Sequence, residues 1–216
     1  MQNKAEILSP DSYYHMYNRA NGNEQLFLND GNYRFFLQKY TEYILPIAHT
    51  YCYCLMPNHF HFLIKIKTED ELLNYFKLKP LPIKTLQGFE TLEGLAMQQL
   101  ISKLLTQQFS HLFNSYTQAF NKQNNRKGSL LMHPYKRKLI TNYAYLYKLV
   151  HYIHYNPIDA KLCNKLEDWK FSSYKAIISD ETTALNKHEV IEWFNDLDNF
   201  KYIHALAPLE TNDELF

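Results

Sequence analysis

Apolar and polar residues alternate along short stretches of the chain, which predict strands, and recur at helical spacing along longer ones, which predict helices. Strands are predicted at residues 13–19, 49–56 and 59–67, and an extended segment at 129–140, where Pro134 favours an edge strand or a bulge. The turn residues Pro57-Asn58 join the second and third strands as a hairpin. Helices are predicted at residues 30–45, 72–77, 95–121, 141–155 and 187–197.

This order of elements is typical of an α+β fold. It predicts a ferredoxin-like sandwich, in which an antiparallel sheet carries helices on one face. Residues 1–174 are expected to form the main domain, with a connector inserted at about residues 79–94, where Pro and Gly punctuate the chain. Residues 175–216 are expected to be an acidic, partly helical C-terminal extension. A solubilising role for this extension is favoured over an autoinhibitory one.

The composition argues against several classes of function. The chain has only 5 Gly residues and neither of the familiar glycine-rich phosphate loops, so we expect no nucleotide cofactor. Its apolar runs are shorter than the roughly 18 residues of a membrane span, and residues 1–6 lack an apolar signal core. The 3 Cys residues are expected to be reduced thiols. Together these features predict a cytoplasmic protein without a membrane partner.

The net charge of +1 hides an uneven distribution of charge along the chain. Residues 1–93 contain 9 basic and 10 acidic residues, and residues 159–216 contain 6 basic and 12 acidic residues. Between them, residues 94–158 contain 8 basic residues and no Asp or Glu. Such a stretch favours contact with a polyanion such as nucleic acid. A chance fluctuation on a solvated face is the alternative.

The pair His59 and His61 is the first candidate for chemistry. Residues two apart on a strand point to the same face, so both imidazoles can reach one divalent ion. Phe60 between them would then pack into the core. The alternative is that a half-buried strand carries two His residues by chance.

The second candidate is the segment from Tyr147 to Pro157. Residues four apart share a helix face, so Tyr152 and Asn156 project together, with Lys148 one turn earlier. A phenol aimed at a metal-bound phosphate is a plausible nucleophile, and an amide oxygen one turn on could complete the shell of the ion. A structural Tyr and a helix-ending Asn are the alternative, and His151 and His154 are rival ligands.

The two candidates together resemble a known family. The segment from Leu55 to Ile64 looks like the His-hydrophobic-His (HUH) signature of single-tyrosine transposases. The segment from Tyr152 to Pro157 looks like the nucleophile helix of their REP-associated (RAYT-like) branch. The resemblance runs from about Tyr13 to Tyr174 and includes three further segments: Tyr14 to Arg19, Phe120 to Gly128, and Trp169 to Tyr174.

The resemblance implies a metal-dependent enzyme with the HUH strand in its sheet. His59, His61 and Asn156 would hold Mg²⁺ or Mn²⁺, and Tyr152 would attack single-stranded DNA near a hairpin. The product would be a 5′-phosphotyrosine intermediate and a free 3′-OH, which allows cleavage and rejoining without ATP. A homodimer stays open as a further partner.

The resemblance and the acid-free stretch together assign the DNA contacts. The basic residues are expected on phosphates, and an aromatic residue is expected to stack on bases: Arg126, Lys127, Lys136, Arg137, Lys138 and Tyr135. Two other functions remain open. One is a domesticated, non-catalytic protein that binds hairpin DNA, and the other is a small metal hydrolase acting on a different phosphodiester.

Overall fold

A four-stranded antiparallel sheet lies at the centre of the computed structural model, which describes residues 6–78 and 92–208. The spatial order of the strands is second, third, first, fourth, so the first and third strands are central. Every neighbouring pair is antiparallel. The strands are β1 (Tyr13–Arg19), β2 (Ala48–Met56), β3 (His59–Ile66) and β4 (Lys136–Ile140).

Seven α-helices accompany the sheet in the described residues. None of them is both long enough and apolar enough to cross a membrane. The helices are α1 (Asp30–Tyr43), α2 (Glu69–Phe76), α3 (Leu92–Gln123), α4 (Leu146–Asp159), α5 (Tyr174–Ile178), α6 (Lys187–Glu192) and α7 (Leu197–His204).

Local sequence signals explain where the early helices begin. The side chain of Asn29 accepts a hydrogen bond from the backbone N–H of Asn32 and so caps α1. Thr68 and Glu71 form a reciprocal capping box at the start of α2. The connector predicted at about residues 79–94 lies outside the described residues as far as residue 91, and residues 92–94 already belong to α3.

The predicted α+β class with an antiparallel sheet is confirmed, and β1, α1, β2, β3, α3 and β4 follow the ferredoxin-like order. Helices α1, α2 and α3 pack on one face of the sheet, as predicted. The other face is also covered, by α4 to α7, and here the prediction of helices on one face was wrong. The reason is that β1 and β3 bury side chains on both faces, so each face needs an apolar cover.

Helix α4 does not end before Pro157, as we predicted, but continues to Asp159 with the proline inside it. The missing proline N–H removes one hydrogen bond in the last turn, and Pro157 itself is buried. The helix also begins later than predicted, at Leu146, after a turn of 3₁₀-helix that Asn142 caps. In the predicted extended segment 129–140, regular strand is restricted to β4.

The predicted C-terminal extension packs on β1, β2 and α4 over its described residues, 175–208. The carboxylate of Glu189 accepts hydrogen bonds from the hydroxyls of Tyr13 at 2.5 Å and Tyr51 at 2.8 Å. His154 on α4 lies between Ser173 Oγ at 2.7 Å and His204 Nε2 at 3.0 Å. Polar bonds as well as apolar contacts therefore tie these residues to β1, β2 and α4.

Acidification is expected to weaken the fold through these buried imidazoles. Burial lowers the pKa of His204 from its ordinary value to about 3, and burial also lowers that of His154. Below about pH 6.5 each of these imidazoles binds a proton in the unfolded chain but stays neutral in the folded chain. Stability is therefore full above that pH and falls as the pH drops, by up to about 1.4 kcal/mol per pH unit for each group.

Thermal unfolding between pH 7 and pH 4 checks this expectation. In His204→Gln the pH dependence of stability should be shallower by about one proton. The matched control is His188→Gln, at an exposed histidine, which should keep the wild-type dependence. Equal dependence in His204→Gln and the wild type would contradict this role for His204.

Candidate active site

The candidate site lies on the sheet face that α4 covers. Strand pairing sets Arg19 opposite His59 and Tyr17 opposite His61, and paired residues of antiparallel strands share a face. Helix α4 packs on β2 and β3 from the same side. The structure thus brings together the two candidates that the sequence left far apart, the histidine pair and the tyrosine helix.

His59 presents one ring nitrogen toward α4. Its Nδ1 lies 2.7 Å from Asn58 Oδ1, which is an acceptor, so Nδ1 carries the proton and Nε2 keeps its lone pair. His59 Nε2 lies 3.5 Å from Asn156 Oδ1. The rings of His59 and His61 are 5.2 Å apart and nearly perpendicular.

Asn156 turns its oxygen toward the same point. Its Nδ2 donates to the backbone oxygen of Tyr152 at 2.8 Å, one helical turn earlier, which leaves Oδ1 facing His59. Two acceptor atoms, a nitrogen lone pair and an amide oxygen, then converge without a proton between them. This arrangement suits a cation, and the predicted ligands His59, His61 and Asn156 fit a divalent ion in that respect.

Burial keeps the two imidazoles neutral, as metal ligands must be. It lowers the pKa of His59, and it lowers that of His61 well below its ordinary value, with a smaller effect from the neighbouring His15. Among residues 6–78 and 92–208, no group of three His, Cys, Asp or Glu side chains could hold a metal. An ion at this site would therefore depend on the amide of Asn156 and on ligands from the substrate or solvent.

Tyr152 lies beside the pair. Its ring is 5.5 Å from that of His61, at nearly a right angle. Burial raises the pKa of Tyr152 to about 12, and its side-chain hydrogen bond to Asn156 partly opposes that rise. The phenol is therefore protonated at neutral pH, and nearby positive charge would favour the phenolate.

The rival ligands on α4 point elsewhere. His154 is bonded to Ser173 and His204, and His151 Nε2 lies 3.0 Å from the backbone oxygen of Leu206. Both are buried against the C-terminal helices. The structure thus separates them from the site that contains His59 and His61.

Three residues of β1 belong to the site and were missed in the sequence. His15, Tyr17 and Arg19 lie at every second position of β1 and share the face that meets His59 and His61. The ring of Tyr17 stacks on those of His15 at 4.7 Å and His61 at 5.7 Å. The sequence did contain a signal, since these residues are two apart on a predicted strand and so share a face. The pairing of β1 with β3 was needed to show that this face meets His59 and His61.

The predicted DNA contacts divide between the two faces of the sheet. Lys136 and Lys138 pair with Tyr17 and His15, which places them on the face of the candidate site. The Lys136 ammonium lies 5.9 Å from the centre of the Tyr17 ring. Arg137 pairs with Met16 and so belongs to the opposite face.

Tyr135 lies on that opposite face, against α3. Its ring packs on Phe109 at 5.5 Å and Phe113 at 5.2 Å, and its hydroxyl accepts a hydrogen bond from Arg137 at 2.5 Å. The Arg137 guanidinium also lies 5.1 Å from the centre of the Tyr135 ring. Base stacking on Tyr135 stays a prediction, and these contacts occupy much of the ring.

The side chain of Arg126 is fully hydrogen-bonded within the protein. Its guanidinium donates to Asn121 Oδ1 at 2.9 Å, to the backbone oxygens of Gly128 at 3.1 Å and Ser129 at 2.9 Å, and twice to the carboxylate of Glu24. These bonds use all five donors of an arginine. A phosphate would have to displace some of them, whereas its neighbour Lys127 is exposed.

Comparison with solved structures finds a similar fold. The described architecture matches the "Structure of the REP associates tyrosine transposase bound to a REP hairpin" with a TM-score of 0.54 and 10% sequence identity. The match covers 83% of this chain and 86% of that chain. The predicted resemblance to that branch is confirmed for the fold. At 10% sequence identity, the similarity establishes the fold alone.

Two other comparisons gave nothing. No protein-family model matches the chain, and no curated protein matches it. The shared fold is thus the link between this chain and the tyrosine transposases.

The bonds of Arg126 predict a structural role for that residue. Arg126→Gln should lower the free energy of unfolding by about 1 kcal/mol, because five hydrogen bonds of the guanidinium are lost, four of them at exposed acceptors and one at half-buried Asn121. Lys127→Gln, one residue away, should change it by less than about 0.5 kcal/mol. Urea denaturation of both variants checks the difference, and equal losses would contradict the assignment.

Proposed function

We propose that the protein cleaves and rejoins single-stranded DNA near hairpins, with Tyr152 as the nucleophile. The observation that carries this proposal is the convergence of His59 Nε2, Asn156 Oδ1 and the Tyr152 ring on one face of the sheet. A tyrosine one helical turn from an amide ligand, opposite two neutral imidazoles, is an arrangement suited to phosphoryl transfer.

Tyr152 would attack a phosphodiester in line. Its Oη forms a bond to phosphorus and gives up its proton, while the bond from phosphorus to the 3′ oxygen breaks and that oxygen leaves as a 3′-OH. The product is a 5′-phosphotyrosine. An incoming 3′-OH reverses the step at another site, and the energy of the ester bond is conserved, so no nucleotide cofactor is required.

The residues around Tyr152 have distinct parts in this proposal. His59, His61 and Asn156 would bind Mg²⁺ or Mn²⁺, which, when bound, would neutralise charge on the phosphate and favour the phenolate. Asn156 also holds its own side chain in place through its bond to the backbone of Tyr152. The Tyr152 ring is half-buried, which limits the access of water to the nucleophile.

The DNA is expected to cross this face of the sheet. Lys136 and Lys138 on β4 and Arg19 on β1 place three cations on the same sheet face as the histidine pair. Hairpin DNA as the partner is supported by the similar fold, because that protein was solved with a REP hairpin. We keep the phosphate contacts of Lys136 and Lys138 and propose Arg19 in addition.

Replacing the nucleophile provides the test of the reaction. Tyr152→Phe removes one hydroxyl, so we expect no covalent protein–DNA adduct but nearly unchanged hairpin binding. The matched control Tyr155→Phe, on the same helix, should form the adduct at the wild-type rate. The assay incubates single-stranded DNA that carries a hairpin, labelled 3′ of the cleavage site, with Mg²⁺, Mn²⁺ or a chelator, and separates products on a denaturing gel.

Each result of this assay separates the candidate functions. An adduct in Tyr152→Phe would move the nucleophile to another tyrosine. An adduct in the wild type that persists with chelator, or in His59→Ala with unchanged metal dependence, would refute the metal site. Hairpin binding with no adduct in the wild type would favour the non-catalytic DNA-binding function.

Salt dependence tests the path of the DNA. The double variant Lys136→Gln with Lys138→Gln should weaken binding to every sequence and reduce the salt slope by about 0.7 for each phosphate of a single strand that is no longer neutralised. The charge-matched control, Lys175→Gln with Lys201→Gln, changes exposed residues of α5 and α7. Fluorescence anisotropy from low to high salt measures both slopes, and equal slopes would move the DNA away from β4.

A further inference from the structure

His15 is a buried histidine in contact with one of the proposed metal ligands. It lies on β1, is 1% exposed, and places its Nε2 2.9 Å from Nδ1 of His61 on β3. The two ring planes are inclined by only 23°, which suits an in-plane hydrogen bond between ring nitrogens. This contact plays no part in the proposed reaction itself.

One proton has to lie between these two nitrogens, and its position decides what His61 can bind. If His61 Nδ1 donates, His61 Nε2 keeps a lone pair that can bind a metal ion. If His15 Nε2 donates instead, neutral His61 carries its proton on Nε2 and cannot bind a metal through that atom. Which of the two nitrogens donates this hydrogen bond therefore determines whether His61 Nε2 can bind a metal ion.

The partner imidazole shows which orientation the site is built for. His59 Nδ1 donates to Asn58, so His59 presents a bare Nε2 on this face. A matching site needs His61 in the same tautomer, with Nδ1 protonated and held by an acceptor. Metal-binding histidines commonly donate their second N–H to such an acceptor, which fixes the ring and its tautomer.

The surroundings of His15 hold its ring in place for that bond. Tyr17 stacks on His15 at 4.7 Å and on His61 at 5.7 Å, and both contacts lie on the same sheet face. The pairing of β1 with β3 sets the distance between the two strands that carry the rings. Neither imidazole can turn without disturbing this stack.

We infer that His15 is a positioning residue, which accepts the Nδ1 proton of His61 and thereby presents His61 Nε2 to the metal ion. This inference rests on the proposed metal site. In this arrangement His15 on β1 determines the tautomer of His61 on β3. His15 itself, which is buried, would contact neither the metal nor the substrate.

The tautomer of His61 in the metal-free protein provides a direct test. Two-dimensional ¹⁵N NMR of imidazole nitrogens distinguishes a protonated Nδ1 from a protonated Nε2, and His61→Gln identifies the signal. We expect Nδ1–H on His61 in the wild type, and Nε2–H would overturn the inference. Because no metal is present, this measurement stands whether or not the proposed metal site is correct.

Metal affinity provides the second readout. His15→Gln keeps an acceptor near the position of Nε2 and should bind Mn²⁺ within a few fold of the wild type. His15→Phe removes the acceptor at similar volume and should weaken binding by about 10–100-fold. Titrations followed by Mn²⁺ electron paramagnetic resonance measure both, with circular dichroism to check folding.

The outcomes separate the inference from the proposed function. Equal affinity in His15→Phe and the wild type would overturn the positioning role. If His15→Phe fails to fold, the wild-type tautomer and the affinity of His15→Gln decide, and loss of affinity in a folded His15→Gln would count against an acceptor role. Absence of Mn²⁺ binding in the wild type would instead refute the proposed metal site.

Discussion

The pairing of β1 with β3 is the interaction on which the candidate site depends. Side chains on a strand alternate between faces, so the register fixes which residues of the two strands meet. In the observed register Tyr17 faces His61 and Arg19 faces His59. A slip of one residue would turn the apolar core positions of β1, such as Tyr14 and Met16, toward α4 and would remove His15 and Tyr17 from the site.

Burial on both faces of this central pair gives the register its strength. One face packs against α1 to α3 and the other against α4 to α7, so a slip would disrupt the packing on both faces. The same burial desolvates His61 and the Tyr152 phenol. It lowers the pKa of the imidazole and raises that of the phenol, so both neutral forms are favoured. Stability and chemistry on this face thus have one physical origin.

Much of the fold and part of the site could be predicted from local patterns. The three early strands, and the shared faces of His59 with His61 and of Tyr152 with Asn156, all follow from spacing along the chain. The extent of α4 could not be predicted, since a residue before proline is only disfavoured in a helix, and buried contacts override that preference. The roles of His15 and Tyr17, and the two bonds of Arg126 to Glu24, depend on partners more than 40 residues away in the chain.

The C-terminal helices have a consequence for the order in which the protein can assemble. The apolar side of α4, with Leu149 and Ile153, is covered by Phe194 and Phe200, which follow it by some 40 residues. During synthesis from the N-terminus, the helix that carries Tyr152 leaves the ribosome before its cover has been made. The sheet and its histidine pair can form first, and the apolar side of α4 becomes covered when α6 and α7 have emerged. The packing around α4 can therefore be completed only after synthesis has passed these helices.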